Sequence, residues 1–193
     1  VKELALGQDH PDVATSLNNL GLSYRSQGRY ADAESLFKQA LDINELALGP
    51  DHPELATNLT NLGRVYAVQQ RYLDAETLFK RSRSIIKLAL GPDNPDLASI
   101  LSQLADIQKD QGRYTDAQTN YTRSLSIRRA ALGPDHPAVA TSLSRLARLH
   151  WRTKKPKESL DHLRTAVGII RMRLLNSINL DIGTSTEKEL FSA

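Results

Sequence analysis

The sequence repeats itself with a period of 42 residues. Its clearest landmark is a short acidic and proline-containing motif that occurs four times, as Asp9-His10-Pro11, Asp51-His52-Pro53, Asp93-Asn94-Pro95 and Asp135-His136-Pro137. Glycine keeps the same spacing at Gly7, Gly49, Gly91 and Gly133. A fixed period of roughly 20–50 residues is the signature of an array in which each unit packs mainly on its neighbours. The period therefore predicts a solenoid rather than a globule with one central core.

Each period carries the apolar spacing of two helices. In the first period one stripe at helical spacing is formed by Val13, Leu17, Leu20, Gly21 and Tyr24, which predicts helix A from Pro11 to Gln27. Gly28 stands where a left-handed residue ends a helix, and helix B is predicted from Tyr30 to Ala47. In the connector that follows, Gly49 can adopt positive φ and Pro53 suits the first turn of the next helix.

The period also divides the chain into segments. We expect the end of a preceding repeat at 1–6, four repeats at 7–48, 49–90, 91–132 and 133–174, and a C-terminal capping helix or linker at 175–193. No Gly-Pro break follows Ile169, so the last helix B is expected to continue toward Leu180. Gly183 is expected to break it, before a short helix through Leu190 and Phe191 that starts at the capping box Thr184-Ser185-Thr186-Glu187.

Composition excludes several classes of protein. The 193 residues contain no cysteine, which excludes a disulfide scaffold, a thiolate zinc site and a cysteine nucleophile, and fits a cytoplasmic location. A net charge of +3 is too weak and scattered to predict nucleic-acid binding. No apolar run approaches the ~20 residues of a membrane span, and no signal peptide is visible. The only methionine, Met172, indicates a piece of a longer protein.

No residue pattern predicts catalysis or metal binding. The chain has no glycine-rich phosphate loop, Ser-His-Asp set or isolated carboxylate pair. His10, His52 and His136 recur in the connectors, but Asn94 takes their place in the third repeat and no repeat has the paired spacing of zinc ligands. We therefore predict a turn role for these residues, no metal, no cofactor and no enzymatic activity in this chain.

The first repeat resembles the tetratricopeptide repeat. The resemblance rests on Leu17-Asn18-Asn19-Leu20-Gly21-x-x-Tyr24-x-x-Gln27-Gly28-Arg29-Tyr30-x-x-Ala33-Glu34 and covers residues 7 to about 174. The period of 42 is similar to the kinesin light chain type rather than to the usual period of about 34. The resemblance implies an all-α, right-handed superhelical solenoid that binds a partner peptide in a concave groove lined by the A helices.

The resemblance also implies which positions of helix A face this groove. They are Asn18, Leu22, Arg25, Thr60, Arg64, Ala67, Ser102, Lys109, Ser144, Arg148 and Trp151, with Asp106 as the one acidic member. Four cations against one carboxylate suit an extended acidic peptide, although ordinary solvated surface charges are the alternative. Trp151 is the only tryptophan, and it either packs inside the repeat or serves as an exposed binding anchor.

Three functions follow from these patterns, with another protein or peptide as the partner or, in the third, a second copy of the chain itself. The first is a peptide-binding adaptor module. The second is a regulatory or scaffolding array of a larger enzyme, because Ile178-Asn179-Leu180 and Gly183-x-Ser185-x-Glu187-Lys188 are similar to the linker that joins such repeats to CHAT peptidase domains. The third is self-assembly, because the segment from Val1 to Leu6 resembles the last turn of a lost helix B, whose absence would expose apolar surface on the first repeat.

Overall fold

The computed structural model describes the backbone of residues 10–190 and side chains up to residue 177. The described residues form eight α-helices and no strand: α1 (Pro11–Ser26), α2 (Tyr30–Leu48), α3 (Leu55–Val68), α4 (Tyr72–Leu90), α5 (Pro95–Asp110), α6 (Tyr114–Leu132), α7 (Pro137–Arg152) and α8 (Pro156–Leu190). The predicted end of a preceding repeat at 1–6 lies outside the described residues. Within residues 10–190, no helix combines the length and the apolar character needed to cross a membrane.

The odd-numbered helices are the predicted A helices and the even-numbered helices are the predicted B helices. In the first repeat α1 ends one residue before the predicted Gln27, and α2 ends one residue after the predicted Ala47. The turn between A and B needs one residue at positive φ, and this residue is Gly28 (78°), Gln70 (61°), Gly112 (78°) or Lys154 (59°). The predicted helix end at Gly28 is therefore confirmed, and two repeats meet the same requirement without glycine.

Histidine begins the A helices as a cap. The Nδ1 atom of His10 accepts a hydrogen bond from the Asp12 N–H at 3.1 Å, and His136 Nδ1 does the same for Ala138 at 3.1 Å. In the third repeat the Oδ1 atom of Asn94 accepts from the backbone two residues later at 2.9 Å. An unpaired N–H at a helix start is thereby satisfied in each case. This geometry confirms the turn role of the connector histidines and explains why Asn94 can replace one.

Within a repeat, helix A and helix B approach most closely at a glycine. A Cβ atom placed on Gly21 would lie 2.7 Å from Phe37 Cε1, and one on Gly63 would lie 2.8 Å from Phe79 Cε1. These distances leave no room for a methyl group. The third and fourth repeats carry alanine at this position, and they also replace the facing phenylalanine, as Ala105 with Tyr121 and Ala147 with Leu163.

The chain divides into two compact units, one up to Ile127 and one from Arg128 onward. The core of the first unit is a continuous cluster of buried side chains that includes Phe37, Leu59, Leu62, Phe79 and Leu104. In the second unit the buried apolar residues of α7 include Val139, Leu143, Leu146 and Leu149, and those of α8 are Ala166 and Ile169.

The predicted apolar stripe of helix A is confirmed, with one exception at α1. Leu62 is 3% exposed, and Leu104 and Leu146 are buried as well, but Leu20 at the same position is 44% exposed.

The C-terminal region differs from the prediction. Helix α8 runs through Gly183 to Leu190 and is 35 residues long, whereas α2, α4 and α6 each have 19. The predicted break and separate short helix are therefore wrong, and Phe191 lies outside the described residues. A lone glycine inside a helix costs only about 1 kcal/mol relative to alanine, and no proline follows to prevent the next turn.

Candidate functional site

The A helices of the first unit lie side by side and share polar contacts. Asn61 Nδ2 on α3 donates to Asn18 Oδ1 on α1 at 2.9 Å. Arg64 Nη2 on α3 donates to Ser99 Oγ on α5 at 3.1 Å. Side chains of three successive repeats are thereby joined on one surface, which is the arrangement that a groove lined by A helices requires.

A cavity of about 410 Å³ opens on this surface. Its lining is Arg25, Tyr30, Arg64, Ala67, Val68 and Gln103. Three of the residues predicted for the groove, namely Arg25, Arg64 and Ala67, are thus brought together from two successive repeats. We call this cavity the arginine cavity.

The lining of the arginine cavity is positively charged. None of its lining residues is acidic. Among the described residues Arg25 has no ion-pair partner, and its Nη1 atom is buried without a hydrogen-bond partner. A buried N–H of a guanidinium group without a partner is costly, so an acceptor that reached this atom would gain most of a charge-assisted hydrogen bond.

Farther along the same surface the charge becomes mixed. Arg64 also lines a second cavity of about 380 Å³, whose lining includes Thr60, Glu54 and Asp96. Lys109, which was predicted to extend the cationic surface, lies 3.2 Å from Asp110 Oδ1 and 3.9 Å from Asp106 Oδ1. In the first unit the positive character is therefore concentrated at Arg25 and Arg64.

The hydroxyl groups of two predicted polar groove residues take part in the packing of helix A on helix B. Thr60 and Ser102 are buried, and their hydroxyl groups lie 3.0 and 2.8 Å from those of Ser82 and Ser124. Ser82 Oγ in turn donates to the Ala56 carbonyl at 3.0 Å. We therefore assign the hydroxyls of Thr60 and Ser102 to packing within their repeats, a role that helical spacing alone did not predict.

The other predicted groove residue of the first unit is apolar. Leu22 is half-buried and packs against the main core cluster, as does Ala67. Of the two, only Ala67 lines the arginine cavity. The apolar contact open to a ligand there therefore comes from Ala67 and Val68.

In the second unit Arg148 and Trp151 lie together. They line a cavity of about 660 Å³ whose other lining residues are Ala147, Arg152, Lys154, Ser159 and Leu163. Trp151 is 71% exposed, so of the two alternatives for this residue the structure has the exposed one. Ser144 lines a different cavity, and its hydroxyl donates to the Ala140 carbonyl of its own helix at 3.0 Å.

The structure also contains an ion-pair ladder that sequence reasoning missed. Arg71 Nη1 lies 3.1 Å from Glu34 Oε1 of the preceding repeat, and Arg113 Nη2 lies 2.5 Å from Glu76 Oε2. Burial alone would raise the pKa of Glu76, but the hydrogen bonds from Lys80 and Arg113 outweigh it and lower this pKa. The arginine and the glutamate both recur with the 42-residue period, which is the signal that could have revealed the ladder.

His150 and His162 form a stacked pair inside the last repeat. Their ring centroids are 5.1 Å apart with an interplanar angle of 27°, and both nitrogens of buried His150 lack hydrogen-bond partners. Burial, together with the charge of Lys155, lowers the pKa of His150 in spite of the opposing effect of Glu158. Among the side chains that the structure describes, no group of three His, Asp or Glu could hold a metal ion.

The family comparison covers most of the chain. The sequence model of a family described as tetratricopeptide repeat matches residues 2–46, 12–87, 61–114 and 96–171. No curated protein matches the chain significantly.

Solved structures with the same architecture share little sequence with this chain. The crystal structure of BtubC (BKLC) from P. vanneervenii aligns with a TM-score of 0.78 and 18% identity, covering 85% of this chain and 66% of that one, just under two thirds of its length. A kinesin light chain-type protein from Podosopora anserina with nearly identical TPR-like repeats gives 0.69 and 22%, covering 86% and 78%. MamA gives 0.61 and 14%, covering 83% and 80%. At these identities the similarity shows the fold alone, an all-α helical repeat solenoid.

Proposed function

Since the chain belongs to the tetratricopeptide repeat family, whose repeats generally mediate protein–protein interaction, we propose that it binds an extended acidic peptide along the A helices of its first unit. The observation that carries this proposal is the arginine cavity, where Arg25 and Arg64 come from successive repeats and no acidic residue lines the space. Ligand carboxylates would there meet one guanidinium group from each of two repeats, and hydrogen bonds from guanidinium to carboxylate are among the stronger ones in proteins.

The spacing of the repeats limits the sequence of such a peptide. Neighbouring helices pack about 10 Å apart, and an extended chain advances about 3.3 Å per residue. One repeat therefore corresponds to roughly three peptide residues. Two acidic residues about three positions apart would match Arg25 and Arg64, while the side-chain amide of Gln103 could bond the peptide backbone.

The affinity of this site should be moderate. Exposed ion pairs contribute about 0–1 kcal/mol each, so a peptide held mainly by these contacts should bind in the micromolar range. Added salt should weaken the complex, because the charges lie near the surface and are screened over about 8–10 Å at ordinary ionic strength.

Charge reversal in the arginine cavity tests the proposal. We expect Arg25→Glu together with Arg64→Glu to abolish binding of a labelled ten-residue peptide with glutamate at every third position, measured by fluorescence anisotropy. The matched control is Lys87→Glu together with Lys157→Glu, which makes the same change in net charge at two exposed B-helix positions and should preserve binding. Circular dichroism should show the same helix content for both variants. Full binding by the arginine variant would contradict the proposal.

The second unit offers a separate anchor for a partner peptide. Trp151 is exposed beside Arg148, and an exposed tryptophan with neighbouring cations is typical of residues that dominate the binding energy of an interface. Because Trp151 is the only tryptophan, its fluorescence reports on this surface alone. We expect a partner bound here to shift its emission to shorter wavelength, and Trp151→Ala to lower the affinity by about 2 kcal/mol. A partner that binds fully without any shift would exclude this anchor.

The repeat fold is typically a non-enzymatic interaction module. That this particular chain has no catalytic activity stays a prediction. The cytoplasmic location expected from the cysteine-free composition, and self-association through the ends of the array, also stay predictions.

A further inference from the structure

The polar residues that line the arginine cavity can all donate hydrogen bonds. Arg25 and Arg64 bring guanidinium groups from two successive repeats. Gln103 adds a side-chain amide, and Tyr30 adds a hydroxyl group. A guanidinium group has several N–H donors and no acceptor, while the amide and the hydroxyl group are neutral groups that can donate as well as accept. The lining therefore suits a ligand group that is negatively charged and offers several acceptor atoms.

A phosphoryl group matches this lining better than one carboxylate does. A carboxylate brings a single negative charge and two oxygens. A phosphorylated side chain carries a charge of about −1.5 to −2 at pH 7 and has three strongly accepting oxygens. Two guanidinium groups line the cavity, and the described lining residues include no acidic one. A doubly charged group with three acceptors can therefore use both arginines at once.

Arg25 contributes a hydrogen-bond donor that is already out of contact with water. Its side chain as a whole is half-buried, but its Nη1 atom is buried and has no hydrogen-bond partner. The cost of removing this atom from water is therefore met when the chain folds. An acceptor oxygen of a ligand that reaches Nη1 gains a charge-assisted hydrogen bond without adding that cost to binding.

The arginine cavity also has room for more than a carboxylate. Its volume of about 410 Å³ lies in the range of roughly 300–1,000 Å³ that is usual for small-ligand pockets. Ala67 and Val68 form the apolar part of the lining, and Val68 is 54% exposed. The carbon atoms that carry a phosphoryl group therefore have an apolar surface to contact.

We propose that the arginine cavity binds the phosphoryl group of a phosphorylated residue in the partner peptide, with Arg25 and Arg64 donating to its oxygens. This inference rests on the proposed function, because it names the acidic group that the same site prefers. One phosphorylated residue takes the place of two acidic residues three positions apart. Phosphorylation of the partner then controls whether it binds.

Three labelled peptides test this preference on the full chain. Each has ten residues with glutamate at every third position, and they differ only at the central acidic position, which holds phosphoserine, glutamate or serine. We expect fluorescence anisotropy to show about tenfold tighter binding of the phosphoserine peptide than of the glutamate peptide, because the phosphoryl group adds charge and an acceptor. The serine peptide should bind most weakly.

The outcomes separate this inference from the proposed function. Equal affinities of the phosphoserine and glutamate peptides, both lost in Arg25→Glu with Arg64→Glu, would overturn the inference and leave the proposed function standing. Binding of neither peptide would contradict both. Inorganic phosphate that competes as strongly as the phosphoserine peptide would also overturn the inference, because the cavity would then be a site for a free anion.

A single substitution should remove the preference without removing the site. Arg25→Gln leaves one guanidinium group in the cavity, so the affinity ratio of the two acidic peptides should fall to about twofold or less. The melting temperature should not fall, because this variant removes a buried donor that has no partner. Lys87→Gln removes one charge at an exposed position of α4 and should leave the ratio unchanged. A tenfold ratio that survives Arg25→Gln would contradict the proposal.

The pH dependence of the affinity ratio provides a second measurement. The second pKa of phosphoserine is about 6, and that of a glutamate side chain is about 4.3. Between about pH 7.5 and about pH 5.5 the phosphoryl group therefore gains a proton while the glutamate stays ionised, and the ratio should fall. The described lining residues include no histidine, so the change belongs to the ligand. A ratio that stays at its neutral value down to the lower pH would contradict recognition of a doubly charged phosphoryl group.

Discussion

At the scale of single residues, the close contact between helix A and helix B is formed by different side chains in different repeats. Gly63 allows Phe79 to pack against the backbone of α3, while the fourth repeat uses Ala147 against the smaller Leu163. In the fourth repeat the smaller Leu163 offsets the methyl group of Ala147, whereas the third repeat keeps the large ring of Tyr121 opposite Ala105. In a close-packed interior an added methyl group moves its neighbours unless a facing side chain becomes smaller.

Replacing Gly63 with alanine should therefore destabilise the protein. The new Cβ would lie 2.8 Å from Phe79 Cε1, and such overpacking costs roughly 1–3 kcal/mol. Urea denaturation measures the change in the free energy of unfolding. Phe79→Leu in the same chain should recover part of the loss, giving a favourable coupling energy in a double-mutant cycle.

A second glycine provides the control for this prediction. A Cβ on Gly168 of α8 would meet no atom within 4 Å. Gly168→Ala should therefore stabilise the protein by about 0.5–1 kcal/mol, through higher helix propensity alone. If Gly63→Ala were also stabilising, the close approach of α3 and α4 at this point would be wrong.

At the scale of helices, the pairing of α7 with α8 depends on two histidines. The positions of His150 and His162 are filled in the third repeat by Gln108 and Asn120, where the Asn120 Nδ2 atom donates to Gln108 Oε1 at 2.8 Å. Only the histidine version can titrate near neutral pH. Burial, then the charges of His150 and Arg129, lower the pKa of His162 against the opposing effects of Asp161 and Glu158.

The last repeat should therefore be less stable in mild acid. Both histidines have a folded pKa below the ordinary value of 6.5. Above pH 6.5 both histidines are neutral in the folded and the unfolded chain, so they leave the free energy of unfolding intact. As the pH falls from 6.5, the unfolded chain binds protons first, because the pKa values of the folded chain are lower. The free energy of unfolding therefore decreases until the pH has passed the lowered folded pKa values. We expect the melting temperature to fall between about pH 7.5 and about pH 5.5.

The chain itself suggests the variant that should remove this dependence. His150→Gln with His162→Asn copies the pair of the third repeat and cannot titrate in this range. The difference in melting temperature between the two pH values should shrink in the double variant. An unchanged difference would mean that other groups, such as the carboxylates of the ion-pair ladder, cause the acid sensitivity.

At the scale of the whole molecule, the repeats share their boundaries and differ in the surfaces they present. Three of the four described A helices begin after a residue whose side chain caps them, namely His10, Asn94 and His136, and the A–B turn recurs with one residue at positive φ. The facing residues between successive repeats, such as Asn44 with Asn58 and Ile86 with Ile100, and the outward positions of the A helices vary from repeat to repeat. In such an array, stability is close to a sum of repeat and nearest-neighbour terms, so the varied positions are free to define partners.

Replacing a leucine of the apolar stripe with alanine should show how much a repeat is stabilised by packing against its neighbours. Leu62→Ala should cost roughly 2–5 kcal/mol, because Leu62 is buried between the elements of the first unit. Leu20→Ala makes the same chemical change where the side chain is 44% exposed, and it should cost less than half as much. Chemical denaturation of both variants gives the comparison. Equal losses would show that the two positions are equally buried in solution.

The sequence by itself determined the repeat helices up to α7, their approximate ends and the family, because these features depend on contacts within a few residues, whereas the predicted end of α8 was wrong. The histidine caps, the positive-φ turn at Gly28 and the apolar stripe all act over four residues or fewer. Only the tertiary structure decided that Thr60 bonds to helix B while Arg25 and Arg64 share a cavity. Helical spacing assigns a residue to one side of a helix with a precision of about 100°, which is the rotation per residue. The packing of neighbouring repeats then decides which residues on that side remain exposed.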